Sequence, residues 1–175
     1  MNIVKAIRDT NAYVTILADR DAITKALVKA FKPDQVQVLI SMRKDYETLF
    51  KQRLDKLVLI NKLLDQLMVA SGYYERLTAM KNDLLSLKSK ARTSLAKLKV
   101  AISKKSDFVE LKKQDRDLVV RDLAFPLEDL TNKIDDYLAI VDNSMSYLDK
   151  LQFNFKTSVS TLRDVYPRGD DGRRR

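Results

Sequence analysis

An all-α fold is predicted by three features of the sequence. Only three Gly and three Pro occur in 175 residues, and two of the Gly lie among the last seven. Turns are therefore scarce, which disfavours sheets and leaves room for a few long helices. Apolar residues recur at steps of three and four through most of the chain, the spacing that keeps side chains on one helical face. Charged residues make up 33%, more than the typical quarter, as suits narrow helices with much surface per residue. The expected architecture is an elongated antiparallel helical bundle, or coiled coil, of four long helices plus one short helix. The long ones fall at 2–31, 33–71, 73–105 and 127–166, and the short one at 107–124. Residues 1–166 form a single bundle by the usual length prior, and 167–175 form a basic flexible tail.

In the first helix, Asn2 is of the type that caps a helix start. Ile3, Ile7, Val14 and Leu17 make its apolar side. The register then slips, and Ile23, Leu27 and Phe31 restart after Ala18-Asp19-Arg20-Asp21. Either the helix bends there, or Asp19 or Asp21 caps a second piece. Pro33 disfavours helical geometry at Lys32 and suits the first turn of the next helix.

The second helix has a broad apolar face running from Val36 through Leu39, Ile40, Met42, Tyr46, Leu49, Phe50, Leu54, Leu57 and Ile60 to Leu67. Between Leu54 and Val69 it is apolar on more than one side, including Leu57, Val58 and Met68, which predicts a central position. Gly72, the one Gly in the first 168 residues, stands where a helix C-terminus takes positive φ. Ser71-Gly72 is therefore expected to reverse the chain. The third helix carries Leu77, Met80, Leu84, Leu87, Ala91, Leu95, Leu98 and Ile102. Lys104-Lys105 suits the negative pole of its dipole. Asp107 and Glu110 read as a capping box for the short helix, which holds Phe108, Leu111, Leu118 and Val119, with Leu123 and Phe125 near its end. Pro126 breaks or kinks the chain, so 107–166 is either one kinked rod or, the reading favoured here, a short helix followed by a long one. The last stripe is the longest: Leu127, Leu130, Ile134, Leu138, Val141, Met145, Leu148, Leu151, Phe155, Val159, Leu162 and Tyr166.

Several chemistries are disfavoured by composition. The chain has no Cys and no His, so disulfides, thiolate metal sites, and the commonest general base and transition-metal ligand are all missing. Glycine-rich phosphate loops need residues that are not present. Asp135, Asp136 and Asp142 do not converge, since neighbours on a helix diverge by about 100°. No catalytic residue, metal, cofactor or small-molecule substrate is expected, and the chain reads as non-enzymatic. Aromatic residues such as Tyr46, Phe50, Tyr137, Tyr147, Phe153 and Phe155 fall on or beside core stripes and read as packing. Arg168-Gly169-Asp170 matches an integrin-recognition tripeptide by letters, and is taken as chance. No stretch is apolar enough to span a membrane and no signal peptide is evident. The expected location is the cytoplasm or a particle assembled there, not the secreted space.

The net charge is +9, and its placement is the main functional clue. Residues 73–106 hold nine Lys and Arg against two acids, whereas 126–166 hold four against seven. Lys81, Lys88, Arg92 and Lys99 line one flank of the third helix, while Lys90, Lys97 and Lys104 form another column. Glu128, Asp135, Asp142 and Asp149 recur every seventh residue on the last helix. Heptad columns of opposite sign fix register between adjacent helices. Four acids cannot neutralise nine cations, so some cations must face outward. The candidate partner-binding residues are Lys81, Lys88, Lys90, Arg92, Lys97, Lys99, Lys104 and Lys105, with Arg168, Arg173, Arg174 and Arg175 in the tail. The leading expectation is a structural or adaptor protein working through helix-face contacts with other subunits, self-association being a further route. The alternative is sequence-nonspecific binding of the DNA or RNA backbone, although the basic helix interleaves no aromatics beyond Tyr73 and Tyr74 for base stacking.

Overall fold

A computed structural model describes residues 3–164 of the chain, with the backbone alone for Ser106. Six helices and no strand occur among the described residues: α1 (Ile3–Arg8), α2 (Asn11–Ala30), α3 (Pro33–Lys51), α4 (Lys56–Ser103), α5 (Ser106–Val109) and α6 (Lys113–Asp164). The all-α class holds. Asn2, Tyr166 and the tail arginines lie outside the described residues.

Where the helices break differs from the sequence expectation, and each difference has a local cause. α2 runs unbroken through 18–21, and neither aspartate caps anything: Asp21 pairs with Arg20 and Asp19 accepts from Ser94. The interruption comes earlier, at Asp9–Thr10. Thr10 is extended (φ −81°, ψ 143°) and its hydroxyl accepts from the Tyr13 backbone N–H, which makes it the N-cap of α2. That break rotates the apolar phase, so Tyr13 is buried and Val14 is exposed.

Gly72 does not reverse the chain. It lies inside the 48-residue α4, and no glycine among the described residues has positive φ. A mid-helix Gly costs roughly 1 kcal/mol relative to Ala. Each buried side chain on the same stripe contributes about 1.5–3 kcal/mol, and Leu63, Ala70 and Leu77 around it are fully buried. The reversal occurs instead at 52–55, where the Leu54 N–H donates to the Gln52 carbonyl at 2.9 Å and the Leu59 N–H donates to Asp55 at 2.8 Å.

Pro126 likewise sits inside the 52-residue α6 rather than ending a helix. A mid-helix Pro costs about 3 kcal/mol, but Leu123, Ala124, Leu127 and Leu130 on either side are all buried, and their packing outweighs the loss. The short helix is therefore only α5, four residues long, and 113–124 belong to α6. Pro33 opens α3 as expected.

Two compact units make up the described chain. The first joins the residues up to Lys32 with Met80–Ile140, and the second joins Pro33–Ala79 with the residues from Val141 on. In the first unit, Ile7, Tyr13 and Ile16 belong to one core with Leu98 and Ile102 of α4 and with Leu123 and Leu127 of α6. Phe31 stacks on Tyr137 at 4.1 Å between ring centres. In the second unit Tyr46 meets Phe155 edge-on at 5.0 Å and its hydroxyl lies 3.2 Å from that of Ser158. The stripes of α4 from Leu77 to Ile102 and of α6 from Leu127 to Val159 are buried or half-buried throughout. The start of α4 is not the expected central element: Leu57 is 69% and Met68 74% exposed, and Val58 is exposed too. Ile40, Leu118, Phe125 and Phe153 are exposed too, as is Phe50, although its ring meets Tyr46 edge-on at 5.1 Å.

Candidate functional site

The candidate cations from Lys81 to Lys105 sit on or just after the C-terminal half of α4, within the first unit. No Gly or Pro interrupts 73–105, and its Leu, Ala and Lys content favours helix. The core stripe of Leu84, Leu87, Ala91, Leu98 and Ile102 points inward, which leaves two polar edges, one on each side of it.

On the first edge, the expected pairing of opposite columns is present. Lys88 Nζ pairs with Asp135 Oδ1, and Lys99 Nζ lies 3.7 Å from Glu128 Oε1. Higher numbers on α4 meet lower numbers on α6, so these two segments run antiparallel. Arg92 shares this edge by helical spacing but is exposed and makes no ion pair among the described residues. Lys81, on the same column, is engaged.

The second edge faces α2. Lys90 and Lys97 line a groove of about 320 Å³ together with Asp19, Ala22 and Ile23 of α2 and Ser89, Thr93 and Ser94 of α4. Ser94 is buried, and its hydroxyl donates to Asp19 Oδ2 at 3.4 Å. Thr93 spends its hydroxyl proton on the Ser89 carbonyl at 3.0 Å. Both lysines are exposed and without an ion pair among the described residues. Asp19 is the one acid in the lining. Lys104 and Lys105 follow the end of α4, exposed and likewise unpaired among the described residues. The Lys105 backbone shapes the turn into α5, its N–H donating to Ile102 and its carbonyl accepting from Phe108, both at 3.1 Å.

The eight α4-region cations thus do not form one face. Lys81, Lys88, Arg92 and Lys99 lie on an edge where α6 supplies acids, Lys90 and Lys97 on an edge where α2 supplies a single carboxylate already held by a serine, and Lys104 and Lys105 follow the helix end. Asp19 was not singled out by sequence beyond its capping chemistry. Its partner Ser94 lies 75 residues away in sequence, so no local pattern points to the pair.

Among the described residues no group of three or more Asp or Glu could hold a metal, and Asp135 is taken by Lys88. No helix among them is long and apolar enough to cross a membrane. Two more grooves are apolar. One, of about 400 Å³ in the second unit, is lined by Val36, Leu39, Ile40 and Tyr147 among others. The other, of about 500 Å³ in the first unit, includes Leu27, Val28, Phe125 and Pro126. No protein-family model, curated protein or solved structure matches the chain.

Proposed function

We propose that this chain is a non-enzymatic adaptor or structural subunit that joins a larger assembly through the outer faces of its helices. In this reading the helices pack as an antiparallel, coiled-coil-like bundle, and the protein works in the cytoplasm or in a particle assembled there. One observation carries the proposal: after α6 has engaged Lys88 and Lys99, the cations Lys90, Arg92, Lys97, Lys104 and Lys105 remain exposed and without an ion pair among the described residues. Unpaired charge of one sign draws an oppositely charged surface. The outward Leu57, Met68 and Phe125 add apolar contact area of the kind that partner surfaces cover.

A polyanion such as RNA would also answer the charge, but stacking support is thin. The Tyr73 ring is covered by the Arg76 guanidinium at 5.2 Å, and Tyr74 is half-buried. Size-exclusion chromatography of the chain from its native source tests the reading. Co-elution with other proteins in fixed ratio, unaffected by nuclease, is expected. Elution as a lone monomer of 20.2 kDa, or a complex that nuclease dissolves, would sink it.

A further inference from the structure

We infer that the α2/α4 groove walled by Lys90 and Lys97 receives an acidic helix of a partner protein, one that carries carboxylates seven residues apart. This rests on the adaptor reading above and specifies the partner's chemistry.

The fold already shows how α4 accepts such a helix. On its α6 edge, Lys88 and Lys99 hold Asp135 and Glu128, two acids seven residues apart on one helix. The α2 edge carries a basic pair of its own, more closely spaced than the eleven residues that separate Lys88 from Lys99. Lys90 and Lys97 are themselves seven apart, about 10.5 Å along the axis, and no acidic column stands opposite them. A helix with Asp or Glu at the same interval would set one carboxylate beside each lysine, as flanking charges do in paired helices.

The lining of the groove suits a helix as well. Ala22, Ser89 and Thr93 are short side chains, and short side chains at a contact let helix axes approach to roughly 8 Å. Nucleic acid fits less well. No aromatic residue lines the groove, and Asp19 stands on the wall facing the lysines. A continuous phosphate chain would meet that carboxylate, whereas a helix can place its acids on the lysine side alone.

The test uses the full chain and a fluorescein-labelled helical peptide about three heptads long, with Glu at every seventh position on an Ala/Gln background. An isomer of the same composition, with its Glu residues scattered round the helix, is the control probe. Fluorescence anisotropy at low ionic strength should show the heptad peptide binding more tightly than the isomer. Lys90→Glu/Lys97→Glu should weaken it by about tenfold or more, and Lys44→Glu/Lys156→Glu, which makes the same change in net charge at exposed positions elsewhere, by less than about twofold. Circular dichroism should show unchanged helix content in both variants. Equal binding of the two peptides, or equal losses in the two variants, would overturn the inference. So would a DNA duplex that binds more tightly than the peptide and is released by Lys90→Glu/Lys97→Glu. If the Lys90→Glu/Lys97→Glu chain still joins its native assembly, the groove assignment fails and the adaptor reading survives. If the unaltered chain joins none, the adaptor reading fails.

Discussion

The Thr10 hydroxyl meets two demands at once. It donates to the Ile7 carbonyl at 2.7 Å, near the end of α1, and accepts from the Tyr13 N–H at 3.3 Å, at the start of α2. Removing a capping side chain typically costs about 1 kcal/mol. Thr10→Ala should therefore lower the urea midpoint, while Thr10→Ser, which keeps the oxygen, should recover most of the loss. Arg43 and Glu47 illustrate the opposite case. Their side chains meet at 2.9 Å on the surface of α3. The hydrogen bond from Arg43 holds the Glu47 carboxyl below its usual range. A depressed carboxyl pKa stabilises the fold above the unfolded value, and that contribution is lost as pH falls through the folded one. Because both groups are exposed, salt screens the effect. Glu47→Gln should slightly flatten the acid side of a stability–pH profile at low salt and leave no mark at high salt.

At the scale of the helix, periodicity was readable, and of the punctuation only Pro33 was. The stripes of α4 beyond Leu77 and of α6 beyond Leu127 were visible in the sequence, because burial imposes a repeat of three and four that nothing else does. Gly72 and Pro126 misled because their backbone preferences amount to about 1 and 3 kcal/mol, less than the packing on either side of them. The true reversal at 52–55 contains no Gly or Pro, and its signal is only the cap-type residue Asp55. This gives a direct test. An added Cβ at Gly72 meets nothing within 4 Å, so Gly72→Ala should raise stability by about 0.5–1 kcal/mol. At a reversal with positive φ the same change would destabilise, and a lowered melting temperature would restore the reversal. Pro126→Ala should likewise stabilise, by about 1–3 kcal/mol, since it returns an N–H to the helix ladder. No gain in a denaturant titration would mean that the ring's own packing matters more.

For the molecule as a whole, what the sequence could not supply was the partner of each face. Two basic columns on α4 were legible from spacing alone. Their different fates were not, because those depend on which neighbouring helix brings acids: α6 brings Glu128 and Asp135 to one column, and α2 brings only Asp19 to the other. The same gap explains why Leu57 and Leu148 look alike in sequence, both on apolar stripes, yet differ in the fold. Leu57 is 69% exposed and Leu148 is 0% exposed. An aspartate at a fully enclosed site must lose hydration without a partner, which costs more than about 4 kcal/mol, a large share of the 5–15 kcal/mol that holds a typical domain together. Leu148→Asp should therefore abolish most of the cooperative melt followed by circular dichroism. Leu57→Asp should shift stability by no more than about 0.5 kcal/mol. If both variants melt like the parent, the α6 stripe is not a core. If both unfold, Leu57 is packed and the outward apolar surface assigned to partners is smaller than described.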